Sequence, residues 1–247
     1  MTDNFILPLI DYMNAINGEW ISIYLFLFSA LSILLMLRLF GDVGLYVYSA
    51  TATILANIQV LKLGTLSLFP EPIALGTITF STVFLTSDII TEHYGKAAAY
   101  KSVWINFSIQ IITTVIMLFI IGTKPIEGDI FHNALEALFL PSPRLIASSL
   151  IAFVASQLLE ITLFQAISNI SSRKMLWLRT NASVMISSLV DNIIFSLLAW
   201  VILAPNPVST HTLIYTYILG TYIIRLVLSL FSTPIMYLSY YFTPRVK

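Results

Sequence analysis

The chain has 247 residues, 58% of them hydrophobic and 10% charged, with 12 basic against 12 acidic side chains. A soluble domain carries roughly 25% charged residues, so this composition excludes a water-soluble globular protein and implies an integral membrane protein. Zero net charge offers no basic field for nucleic acid, and the absence of cysteine excludes disulfides, thiolate metal sites and a cysteine nucleophile.

The chain starts MTDNFILPLIDYMNAINGEW, acidic and without Lys or Arg. A secretory signal needs a basic first region, so none is expected here. Seven apolar stretches then follow, at 20–40, 43–63, 72–92, 98–122, 145–168, 182–204 and 213–241. Each is long enough to cross a bilayer, which takes about 20 residues in a helix. The expected fold is an all-α membrane bundle. Residues 1–42 form an N-terminal segment with one additional helix, and 43–247 a six-helix core. The last stretch is over-long, and Pro234 is expected to kink or divide it. Trp20, Tyr24, Trp177, Trp200, Tyr240 and Tyr241 stand near stretch ends, where amphipathic rings favour the membrane interface. The longest connection, 123–144, contains NALEALFL and predicts a short interfacial helix.

With the N-terminus outside, the cytoplasmic side holds Arg38, Lys96, Lys101, Arg173, Lys174, Arg179, Arg245 and Lys247. The outer side holds Lys62, Lys124 and Arg144, and Arg225 is left inside a span. The positive-inside rule therefore predicts N-out, C-in, in the inner membrane of the cell.

The same bookkeeping leaves Asp88, Glu160 and Asp191 within spans, with Glu92 at a cytoplasmic edge. Each charge at mid-bilayer costs roughly 2.5–3.5 kcal/mol on insertion scales, so such residues face the bundle interior and are functional candidates. Arg225 stays protonated and needs a partner. That partner is Asp191 or Glu160 in a structural ion pair, or else the arginine belongs to a polar cavity near the midplane. Amides and aromatics favour the cavity. Gln157 shares a helical face with Glu160, with Phe153 and Phe164 on the same stripe. Asn192 adjoins Asp191, Tyr222 shares a face with Arg225, and Asn57 and Gln59 lie deep in the second span. Glu92 and His93 are adjacent and do not converge on a metal, so no metal site or cofactor is expected. Glu92 is placed to pair with Lys96 at i+4. Ser187-Ser188 and the Ala52/Ala56 pair read as small-residue helix packing. Neither GxSxG nor a P-loop occurs, which leaves an intramembrane serine protease and P-loop ATP hydrolysis unsupported.

TSDIITEHYGKAAA at 86–99 resembles the signature of the queuosine precursor transporter family, also grouped as vitamin uptake transporters. The likeness continues in order: ANIQVLKLG at 56–64, RLIASSLIAFVASQLLEITLFQAI at 144–167, SSLVDNIIF at 187–195 and TYIIRLVLSLFSTPIMYL at 221–238. Glu160 stands where the pattern more often has aspartate, Ser187-Ser188 where a Gly-Asn or similar pair occurs, and Arg225 where it has lysine. The resemblance implies a transporter, not an enzyme. Its fold would be like that of the substrate-binding components of energy-coupling-factor vitamin transporters, preceded by the span at 20–40. It also implies import of 7-deazaguanine precursors of queuosine, a modified tRNA nucleoside. The nitrile preQ0, the aminomethyl preQ1 and the free base queuine all remain open.

A deazaguanine presents N1–H and a 2-amino group side by side, which one carboxylate accepts, while its carbonyl needs a donor and its face an aromatic. On that chemistry the substrate-binding candidates are Asp191, Glu160, Gln157, Arg225, Tyr222, Asn57, Asn192, Asp88 and Phe164, with Phe195 as a further ring. Glu92 and His93 are gate or loop residues. The expected partners are the small-molecule base and the lipid bilayer, with a homodimer left open. The rival reading is a binding subunit of an ATP-driven uptake assembly, whose Ala52/Ala56 face would meet a scaffold helix.

Overall fold

Gly41 sets the shape of the N-terminal third. In the computed structural model, which describes residues 6–65, 73–140 and 143–244, a short helix α1 (Ile6–Asn14) precedes the 42-residue α2 (Gly18–Gln59). Gly41 breaks α2 with φ 62° and ψ −135°, a conformation that side-chain-bearing residues avoid. A Cβ added at Gly44 would lie 2.3 Å from the Met36 carbonyl oxygen. Eight residues of straight helix would separate those positions by about 12 Å. The chain therefore doubles back, and the apolar stretches at 20–40 and 43–63 become two arms, 18–40 and 42–59.

A two-stranded antiparallel ribbon, β1 (Leu63–Gly64) and β2 (Ile73–Ala74), leads to α3 (Gly76–Tyr94) and α4 (Lys96–Ile121). α5 (His132–Phe139) is the short helix that NALEALFL predicts. Then come α6 (Pro143–Ile170) and α7 (Leu176–Leu197), the latter continuing as a π-helical turn over Leu198–Ile202. A single turn, α8 (Thr210–Thr212), opens a second π-helical run (Leu213–Gly220) that enters α9 (Thr221–Phe242). Pro234 does not divide the last helix: α9 runs through it, and the change to a π-helical run lies earlier, at Leu213–Gly220.

By length and apolar composition, α2, α4, α6, α7 and α9 qualify as membrane-spanning, the last two together with their π extensions. Two of the seven stretches share α2. The remaining one is α3, which the sequence reads as a span, buried or lipid-facing, on length and apolarity. It is the hub of the bundle. Every residue from Gly76 to Thr91 is buried except Phe80, which is partly so, and α2, α4, α6, α7 and α9 all pack on it. Its many hydroxyls cost little there, because each can bond to a carbonyl one turn back, as Ser81 does to Thr77, Thr86 to Thr82 and Thr91 to Ser87. The bundle carries its polar groups inward and its apolar ones outward: Leu27, Phe28 and Leu31 of α2, Ile116 and Phe119 of α4, and Leu230 and Phe231 of α9 are exposed.

The arm 18–40 packs on the rest of the bundle. Its Ile33 and Leu37 share one buried cluster with Leu45, Val83, Ile89 and Phe164. Ala52 and Ala56 are buried as well, and Gly76 packs so closely that a Cβ there would lie 2.4 Å from the Ala56 carbonyl oxygen. The pair serves packing within the chain. Position 72, Arg245 and Lys247 lie outside the described residues, as does the Arg144 side chain.

Candidate substrate cavity

α7 and α9 bring Asp191 and Arg225 together. The guanidinium Nη1 donates to Asp191 Oδ2 at 2.6 Å, and the Ser156 hydroxyl donates to Oδ1 at 3.0 Å. The Arg225 guanidinium also lies 5.1 Å from the centre of the Phe80 ring, a cation–π contact. Of the two anionic partners open to Arg225 in the sequence, Asp191 is the one bonded.

This ion pair forms part of the wall of a cavity of about 520 Å³, within the usual range of roughly 300–1,000 Å³ for small-molecule sites. Asn57, Gln110 and Asn192 also line it, as do the rings of Phe80, Phe195, Trp200 and Tyr217. Asn57 donates to Gln110 at 3.2 Å, and Asn192 donates to the Ile218 carbonyl at 3.2 Å. Gln110 Nε2 and Arg225 Nε are buried donors without a partner. Trp200 and Tyr217 stack with centroids 4.7 Å apart and planes 20° from parallel. Each sits in one of the two π-helical runs, where the altered helical register turns the ring toward the cavity.

Asp88 and Glu160 occupy a different place. Their carboxyl groups face one another within hydrogen-bonding reach, 1% and 0% exposed, and lie off the large cavity. Ser87 lies beside Glu160, yet none of the four carboxyl oxygens receives a hydrogen bond of normal geometry from a donor. A second, much smaller cavity of about 10 Å³, about the room of one water, is bordered by Asp88, Arg225, Ser188, Ser229 and Ser232.

One turn beyond Asp88 on α3, Glu92 accepts from Arg179 Nη2 at 2.5 Å and from the Tyr240 hydroxyl. Arg179 also donates to the Ser168 hydroxyl at 3.1 Å and to the Arg173 carbonyl at 3.2 Å, and stacks over Phe164 at 5.3 Å. His93 bonds Ser239 at 2.7 Å and meets the Tyr240 ring edge-on. These contacts tie α3, α6, α7 and α9 together at the end that also holds Gly41, Tyr94 and Pro244. The large cavity lies toward the opposite end.

Of the sequence candidates, Asp191, Arg225, Asn57, Asn192 and the further ring Phe195 share the large cavity. Gln157, Glu160 and Phe164 are buried outside it, Asp88 borders the small one, and Tyr222 lines neither. Two expectations are corrected. Glu92 pairs with Arg179, not Lys96, whose ammonium lies over Tyr100. Arg179, counted as a loop cation because it sits near a stretch end, is 1% exposed inside the bundle. Sequence reasoning also assigned Trp200 to the membrane interface and passed over Gln110 and Tyr217. An amide in an apolar span, as with Asn57, was the available signal for Gln110.

The model of the vitamin uptake transporter family matches residues 74–239, from β2 through α9. A curated relative, "Probable queuosine precursor transporter" of Bacillus subtilis (strain 168), is 36% identical over 222 residues, covering 90% of this chain and 93% of its own. The chain belongs to the vitamin uptake transporter family. It is thus a multi-pass membrane transporter and not an enzyme. No solved structure matches it.

Proposed function

We propose that this transporter imports 7-deazaguanine precursors of queuosine, and that the 520 Å³ cavity beside Asp191 is where the base binds. The name of the 36% identical relative supports the substrate class. The observation that carries the reading is the composition of the wall: one carboxylate, the amide side chains of Asn57, Gln110 and Asn192, and a stacked aromatic pair in one cavity. Asp191 accepts N1–H and the 2-amino group, Gln110 or Arg225 donates to the ring carbonyl, and the Trp200–Tyr217 pair offers a face to the flat base. With the N-terminus outside, the cavity end faces outward and the Glu92–Arg179 end closes the cytoplasmic side.

The test uses cells that cannot make queuosine and are fed preQ0 or preQ1. Asp191→Asn inserts normally and leaves their tRNA unmodified, whereas the wild type restores queuosine. Full modification by a normally expressed Asp191→Asn variant removes this residue from the site.

A further inference from the structure

We infer that the Asp88–Glu160 carboxyl pair is a proton-binding site that couples substrate entry to the proton gradient. The inference rests on the reading of the chain as an importer. Two acids are brought together by α3 and α6 in the most enclosed part of the bundle, and among the described residues none of the four oxygens accepts a hydrogen bond of normal geometry, although Ser87 lies beside Glu160. Fully ionised, the pair would place two negative charges in contact, out of solvent and with no cation bonded to either, since Arg179 is bonded to Glu92 and Arg225 to Asp191. A single proton resolves this, since a protonated carboxyl donates to its neighbour and both groups gain a partner. The charged groups acting on Asp88 are Glu160 from α6, Glu92 on its own helix and Arg179 from α7. On Glu160 the one charged group is Asp88. Among the described residues α2 and α4 contribute none, and α9 contributes Arg225 across the small cavity.

The place of the pair suits coupling. Asp88 borders the same 10 Å³ cavity as Arg225, and Arg225 holds Asp191, so the proton site and the substrate ion pair meet across one water-sized space. Glu92, four residues on, is about 6 Å along the helix and belongs to the closed end. The proton adds to a carboxylate oxygen while the closed end is shut. It leaves to water when that end opens and exposes Asp88.

Two measurements decide the matter. The first needs no substrate: infrared spectra of purified protein at neutral pH show a deuterium-sensitive protonated-carboxyl stretch that vanishes in the double variant Asp88→Asn, Glu160→Gln. Absence of that band in the wild type overturns the inference. The second uses proteoliposomes and labelled preQ0. An inward proton gradient of one pH unit drives accumulation of up to about tenfold at one proton per substrate. Asp88→Asn and Glu160→Gln, amides close in shape to the protonated acids, keep counterflow exchange of preQ0 but lose gradient-driven accumulation. Accumulation by the wild type that ignores the proton gradient or follows sodium overturns the inference, as does accumulation retained by both variants. A wild type without preQ0 counterflow refutes the import reading instead, and the infrared band still decides the proton pair.

Discussion

Two carboxylates of the same chemistry meet opposite fates in the two halves of the bundle. Asp191 stands in the cavity half, bonded to Arg225 and Ser156 with open space beside it. Glu92 stands in the closed half, held by Arg179 and Tyr240. Both are paired with arginine, so pairing does not distinguish a ligand site from a closure. What does is the space next to the pair. The closed half directs Arg179 toward four groups of the protein itself, Glu92, Ser168, the Arg173 carbonyl and the Phe164 ring.

The largest effect that would break this contrast is at Arg179. Arg179→Met leaves Glu92, 12% exposed, with the Tyr240 hydroxyl alone, and loss of one partner of a buried pair costs up to about 3–5 kcal/mol. Thermal unfolding of the detergent-solubilised protein should drop markedly, with Tyr240→Phe much milder. A Met variant as stable as wild type would mean that the closed end is not held by this pair. Next is the corner at the same end. Gly41→Ala forces a side chain into a glycine backbone conformation, which costs about 1–3 kcal/mol, and its Cβ would lie 3.2 Å from the Tyr94 hydroxyl. It should lower stability without changing substrate selectivity. Smallest in stability but specific to the cavity half is Trp200→Ala. It should weaken binding of the base by about 1–2 kcal/mol, part of the usual stacking increment because Tyr217 remains. A titration of purified protein reads this directly, and unchanged affinity would remove the aromatic pair from the site.

The sequence made the membrane class, the apolar stretches and the family legible, because hydrophobic length and the ordered motifs survive without tertiary information. Asp191 and Arg225 were legible because charges in apolar stretches are conspicuous. Arg179 was not, since a cation near the end of a stretch reads as a loop residue until packing draws it inward. α3 was read by its length and apolarity, yet its Ser and Thr run marks a helix shielded from lipid by five neighbours. Trp200 and Tyr217 were beyond reach, because their convergence depends on two π-helical runs that no residue pattern announces. Asp88 and Glu160 were recognised as buried acids, but their mutual contact depends on how α3 and α6 pack, which spacing along the chain does not encode.

The most direct test of the cavity account pairs one atom group on the ligand with one residue. Binding of preQ0 to the purified protein is compared with binding of the analogue that lacks the 2-amino group, in the wild type and in Asp191→Asn. The wild type should prefer the complete base by about 1–3 kcal/mol, the usual worth of a two-point contact to a base edge, and the variant should show little preference. An equal preference in both proteins would mean that Asp191 does not read the base.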